Sequence, residues 1–95
     1  VTEKQLNFAN GLFQRGFFAE AVEEYDAYVA AVGPEAAGPE VLYYLGEAAY
    51  AAQNYERALS ALEQLQAVPG DGSWKEKGRQ TQGEVYFYRK SYDEA

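Results

Sequence analysis

A spacing of 37 residues runs through the whole chain and limits its fold more than any single motif, because Ala21, Ala58 and Ala95 recur at that interval. The same offset pairs Phe18 with Tyr55 and Tyr92, Ala9 with Gly46 and Gly83, and Phe13 with Tyr50 and Phe87. Val22 matches Leu59, and Gly11 matches Ala48 and Val85. Small residues fall on small residues and rings fall on rings. One such unit cannot bury its apolar face alone, so neighbouring units must stack and share a continuous core.

Each unit reads as two antiparallel helices. Phe18, Ala21, Val22, Tyr25, Tyr28, Val29 and Val32 follow one another at helical steps, which lays a single apolar stripe along a helix. Tyr55, Ala58, Leu59, Leu62 and Leu65 repeat that stripe, and Val41, Leu42, Leu45, Ala48 and Ala49 line one face of the helix before it. Gly33-Pro34 ends the first unit. Pro39 suits the first turn of the next helix, where its missing N–H is not needed. Pro69-Gly70-Asp71-Gly72 breaks the chain again, with Ser73 placed to cap a helix starting near Trp74. The expected fold is all-α, a solenoid of antiparallel helix pairs with about two and a half repeats. It forms one domain over residues 1–95, with units near 2–38, 39–75 and 76–95.

An interior glycine costs up to about 1 kcal/mol relative to alanine. Gly46 and Gly83, with Ala21 and Ala58, are therefore expected at close helix crossings. The third unit stops in mid-helix at Ala95, and nothing caps its apolar face. The expectation is a piece of a longer protein that exposes Val85, Tyr86 and Tyr92.

The chemistry is bounded by what is missing. The chain has no cysteine and no histidine. That removes disulfides, thiolate nucleophiles, cysteine-ligated zinc, and the commonest general base and metal ligand. Neither a metal nor another cofactor is expected. The best catalytic alternative is Glu47 paired with Glu84 at the roughly 6.5–9.5 Å used by inverting glycosidases. It needs an apolar pocket around one carboxyl, which the sequence does not supply, so the chain reads as a non-enzyme. Gly70 to Lys75 lacks the third glycine and the ending of a phosphate loop and reads as a plain turn.

The net charge of −7 is uneven: residues 1–72 carry three basic and eleven acidic side chains (−8), and residues 73–95 carry five and four (+1). An acidic body repels phosphate backbones and anionic lipid surfaces, so neither nucleic acid nor a membrane is an expected partner. No apolar run approaches the roughly 18 residues needed to span a bilayer.

The run Leu45-Gly46-Glu47-Ala48-Ala49-Tyr50-Ala51-Ala52-Gln53-Asn54-Tyr55-Glu56-Arg57-Ala58-Leu59 resembles the tetratricopeptide repeat signature. Gly16-Phe17-Phe18-Ala19-Glu20-Ala21-Val22 and Ser91-Tyr92-Asp93-Glu94-Ala95 resemble it too. The resemblance implies a right-handed superhelix that works by holding other proteins. A period of 37 instead of the family's usual 34 is similar to bacterial cell-envelope members, of the Tol-Pal coordinator and outer-membrane assembly lipoprotein type. That similarity leans toward a periplasmic or envelope setting, with cytoplasm as the alternative. The chain departs from the family pattern at Gln5, Arg79 and Gln82, where large apolar residues are usual, so Lys75 to Gln82 is nearly all polar.

In the family, the first helix of each pair lines a concave groove. Carried over, that implies Glu3, Asn7, Asn10, Phe13 and Gln14 from unit one, and Glu40, Tyr43, Tyr44, Glu47 and Tyr50 from unit two. Unit three supplies Lys77, Gln80, Thr81, Glu84, Phe87 and Tyr88. Phe13, Tyr50 and Phe87 occupy equivalent positions and are expected to form an aromatic ladder, widened by Tyr43 and Tyr44. Glu47 and Glu84 are equivalent to Asn10. An acidic, aromatic channel favours a peptide segment or partner helix carrying basic residues or proline. The family's clamp for a C-terminal carboxylate is not retained: Asn10 and Lys77 match it, but Leu6, Tyr44 and Thr81 replace a lysine, an asparagine and an arginine. The runner-up role is a self-associating spacer that forms homo-oligomers through its uncapped end.

Overall fold

The computed structural model describes residues 2–70 and 72–94, with side chains over 3–70 and 72–90. Tyr92's side chain and Ala95, both part of the repeat reading, lie outside the described residues, as does Asp71. The described residues form α1 (Thr2–Gln14), α2 (Phe18–Val32), α3 (Pro34–Ala51), α4 (Tyr55–Ala67) and α5 (Gly72–Glu94). The fold is the all-α repeat that the periodicity predicts.

The turns repeat as the helices do. Gly16 (φ 84°) and Gln53 (φ 64°) reverse the chain inside units one and two, and Gly33 (φ 88°) and Gly70 (φ 151°) reverse it between units. Each pair is 37 residues apart (53 − 16 and 70 − 33). Asn54 caps α4 by accepting a hydrogen bond from the Arg57 N–H at 3.3 Å. The lengthened connection from Gly33 to Gly38 becomes one helical turn ending at Gly38 (φ 87°, ψ 166°), and the main helix of α3 starts at Pro39. A side chain at φ near 87° would be strained, so glycine ends that turn without cost.

Helices pack in sequence, α1 on α2 through to α4 on α5, and α3 also packs directly on α5. Leu42, Leu45, Leu62 and Leu65 are fully buried, each contributing roughly 1.5–3 kcal/mol. Ala21 and Ala58 are fully enclosed, as expected of crossing points. Gly46 marks a true close approach, because a Cβ there would lie 2.7 Å from Leu62 Cδ2. Gly83 does not: a Cβ there meets no atom within 4 Å. Gly78 takes that role, its backbone lying against Leu65.

Two further expectations about unit three change. Val85 is fully buried, not exposed, because it occupies the Ala48 position on the inner face; Tyr86 is 51% exposed. Helix α5 begins at Gly72, so Ser73 lies in its first turn, and it continues past Lys90 to Glu94. Lys90 holds the place of Gly16 and Gln53 (53 + 37) yet stays helical.

The polar stretch from Lys75 to Gln82 packs by other means than large apolar residues. Gly78 admits Leu65, Gln66 Nε2 donates to the Lys75 carbonyl at 2.8 Å, and the buried Thr81 bonds Glu47. Ion pairs tie successive second helices and α5 together on the outside. Asp26 accepts from Arg57 Nε at 2.8 Å, and Arg89 pairs with Glu56 at 2.6 Å.

Candidate functional site

The first helices of the three units share one face, and its rings are joined across units. Phe13 on α1 contacts Phe18 at 5.5 Å and Tyr44 on α3 at 5.4 Å between centroids. Tyr44 touches Tyr43 at 5.8 Å, and Trp74 on α5 touches Tyr43 at 5.4 Å and Tyr44 at 5.8 Å. Lys77 Nζ lies 4.7 Å above the Trp74 ring. These tilted and edge-on pairs are the arrangements that aromatic quadrupoles favour. A second group joins Tyr50 to Tyr55 at 6.2 Å and to Tyr88 at 6.0 Å, with Phe87 on Tyr88 at 5.3 Å.

The single ladder of Phe13, Tyr50 and Phe87 is therefore replaced by two clusters. Repeat-equivalent residues sit at matching heights on their own helices, but the rings that meet across a seam are offset. Phe13 finds Tyr44 and Tyr43 finds Trp74, both 31 residues later (44 − 13 and 74 − 43). The 37-residue repeat pairs Trp74 with Ala37 and so does not mark it as part of the face; the 31-residue spacing between rings does.

The polar residues differ between the two seams. Asn10 accepts a hydrogen bond from the Tyr25 hydroxyl at 2.5 Å. Tyr25 is 1% exposed, and burial, with smaller repulsion from Tyr44 and Glu40, raises its phenol pKa to about 12. Its apolar stripe position marked Tyr25 only as core, whereas its hydroxyl reaches the site. Glu47 is half-buried and accepts from Thr81 Oγ1 at 2.7 Å; the Lys77 carbonyl lies 3.2 Å from the same hydroxyl. Thr81 is thus closed into the α3–α5 seam and does not present its side chain to a groove. Burial and then the Glu47 carboxylate raise the Tyr43 phenol, and burial and then Glu84 raise Tyr50. These phenols stay protonated at neutral pH and serve as hydrogen-bond donors.

Between α1, α2 and α3 lies a cleft of about 250 Å³ lined by Asn10, Phe13, Gln14, Tyr25, Glu40 and Tyr44. Gln80, Glu84 and Phe87 project from α5 as exposed side chains, Phe87 at 65%. Asn10, Phe13, Tyr43, Tyr44, Glu47 and Tyr50 are half-buried. The face therefore has an aromatic floor, partly covered, with acidic and amide groups at its edges.

A family model of the tetratricopeptide repeat matches residues 6–72, from within α1 through the whole of α2, α3 and α4. The chain belongs to the tetratricopeptide repeat family. Neither the curated proteins nor the solved structures compared with it contain a match. Tetratricopeptide repeats generally act as non-enzymatic scaffolds for protein partners. Among the described residues no helix is long and apolar enough to cross a membrane.

Proposed function

We propose that this tetratricopeptide repeat chain is a protein–protein interaction module. Its face from α1, α3 and α5 receives a peptide segment or partner helix carrying basic residues or proline. Asn10, Phe13, Tyr43, Tyr44, Glu47, Tyr50, Gln80, Glu84 and Phe87 line that face. The observation that carries the reading is the half-buried ring series Phe13–Tyr44–Tyr43–Trp74, which spans three helices and keeps surface open to a partner. Large stiff rings contribute most when a partner completes their burial. The 37-residue unit supports a bacterial cell-envelope setting for that partner.

The test is capture with the intact chain beside the Tyr44→Ala, Tyr50→Ala double variant, followed by saturation binding of the captured segment. The expected outcome is at least a tenfold loss of affinity with the helical circular dichroism unchanged. Equal binding by both proteins would falsify the groove assignment. A second reading is self-association, favoured by the exposure of Tyr86, Phe87 and Tyr88 along α5. A mass that rises with concentration in sedimentation, and falls back for Tyr86→Ser with Phe87→Ser, would support it.

A further inference from the structure

The cleft between α1, α2 and α3 differs in chemistry from the rest of the face. Its walls are the rings of Phe13, Tyr25 and Tyr44; its polar groups are the carboxylate of Glu40 and the amides of Asn10 and Gln14. Among the described residues, no lysine or arginine lines it. Its volume of about 250 Å³ falls below the roughly 300–1,000 Å³ of sites for drug-sized molecules. One long side chain is the natural occupant. Rings with a carboxylate beside them attract cations through the ring quadrupole and the charge together. The chain supplies its own example of the first attraction: Lys77, which holds the place of Glu40 one unit on (40 + 37), lies over Trp74. At the cleft that place is acidic, and the cation must come from elsewhere.

We infer that this cleft is the anchor pocket for a single arginine side chain of the bound segment. The inference rests on the reading of this face as a partner-binding groove and gives it a specificity. A guanidinium is planar and weakly hydrated, so it stacks on Phe13 or Tyr44. It carries five N–H donors, and the site offers acceptors in Glu40, Gln14 and Asn10. Asn10 already accepts from Tyr25, but an amide oxygen has a second lone pair. Lysine fits the charge but lacks the flat fork that meets several acceptors at once. A carboxylate or phosphate is disfavoured by Glu40.

The test titrates the chain, labelled with nitrogen-15, with the capped tripeptide Gly-Arg-Gly and with its citrulline counterpart, which keeps the shape and loses the charge. Saturable shifts are expected at Asn10, Phe13, Tyr25, Glu40 and Tyr44, with the citrulline peptide at least tenfold weaker. Glu40→Gln, at an exposed position that leaves the fold intact, should weaken the arginine peptide about tenfold and the citrulline peptide little. Equal affinity for the two peptides, or no saturable shift at these residues, overturns the pocket. A longer segment whose binding needs Tyr44 and Tyr50 but ignores both the citrulline exchange and Glu40→Gln also removes the pocket, and leaves the groove reading standing. Arginine seated in the cleft with no longer segment held on the face supports the pocket and removes the groove.

Discussion

The seam between units one and two and the seam between units two and three are built from equivalent positions, yet one holds a cleft and at the other the first helices pack directly on each other. At the second seam Thr81 is small and bonds Glu47, and α5 packs directly on α3. At the first, Tyr44 stands where Thr81 does (44 + 37) and Tyr25 where Leu62 does (25 + 37). Two large rings, Tyr25 and Tyr44, line the cleft at that seam, and the hydrogen bond of Asn10 runs back to its own unit through Tyr25. The backbone repeat is the same; the difference between the seams follows side-chain volume at these two positions. A cleft in a repeat array thus needs no change of topology, only a large residue where a small one permits contact.

Moving the large residue is the strongest way to break this comparison. Thr81→Tyr forces a ring into the closed seam and removes the donor to Glu47. Overpacking of this kind costs about 1–3 kcal/mol, to be read from urea denaturation at 25 °C. If stability is unchanged, residue size at this position is not what separates the seams.

A smaller effect follows from the open seam's own polar pair. Tyr25→Phe removes one hydrogen bond, worth about 1 kcal/mol, and should lower the melting temperature by a few degrees at neutral pH. Alkaline titration sharpens the point. The folded Tyr25 phenol ionises near 12 and the unfolded one near 10, so the native state holds its proton more tightly. Its stabilising effect is full below pH 10 and is lost as pH rises from 10 towards 12. The variant should show a shallower fall over that window than the parent; parallel curves would show that Tyr25 is not a coupled group.

The smallest effect compares two glycines at one repeat position. Gly83 faces open space, so Gly83→Ala gains helix propensity and should stabilise by up to about 1 kcal/mol. Gly46→Ala gains nothing comparable, since its new Cβ meets Leu62. Equal shifts in denaturation midpoint for both would erase the difference between an enclosed and an open crossing.

The helices, their pairing and most of the core were legible in the sequence. Val41, Leu42, Leu45, Ala48 and Ala49 are all buried as their spacing required, as are Leu59, Leu62 and Leu65. Periodicity reports which face of a helix turns inward, because burial of that face is what stabilises it. Equivalence between units failed where the last unit differs. Gly83 lacks the neighbour that Gly46 has; at Val85 equivalence held, since it is buried like Ala48, and the exposure expected of an uncapped end did not follow.

The sequence by itself determined the repeat, the all-helical fold and the residue types on the face shared by α1, α3 and α5. Only the tertiary structure decided which of those residues meet. Ring contacts across a seam depend on how two helices are staggered, and stagger depends on the side chains between them. That is why Phe13 meets Tyr44, why Trp74 joins the cluster, and why Thr81 is shut away while Glu40 borders an open cleft. A local pattern encodes the inward face of each helix; the distance between helices is set jointly by residues far apart in the chain.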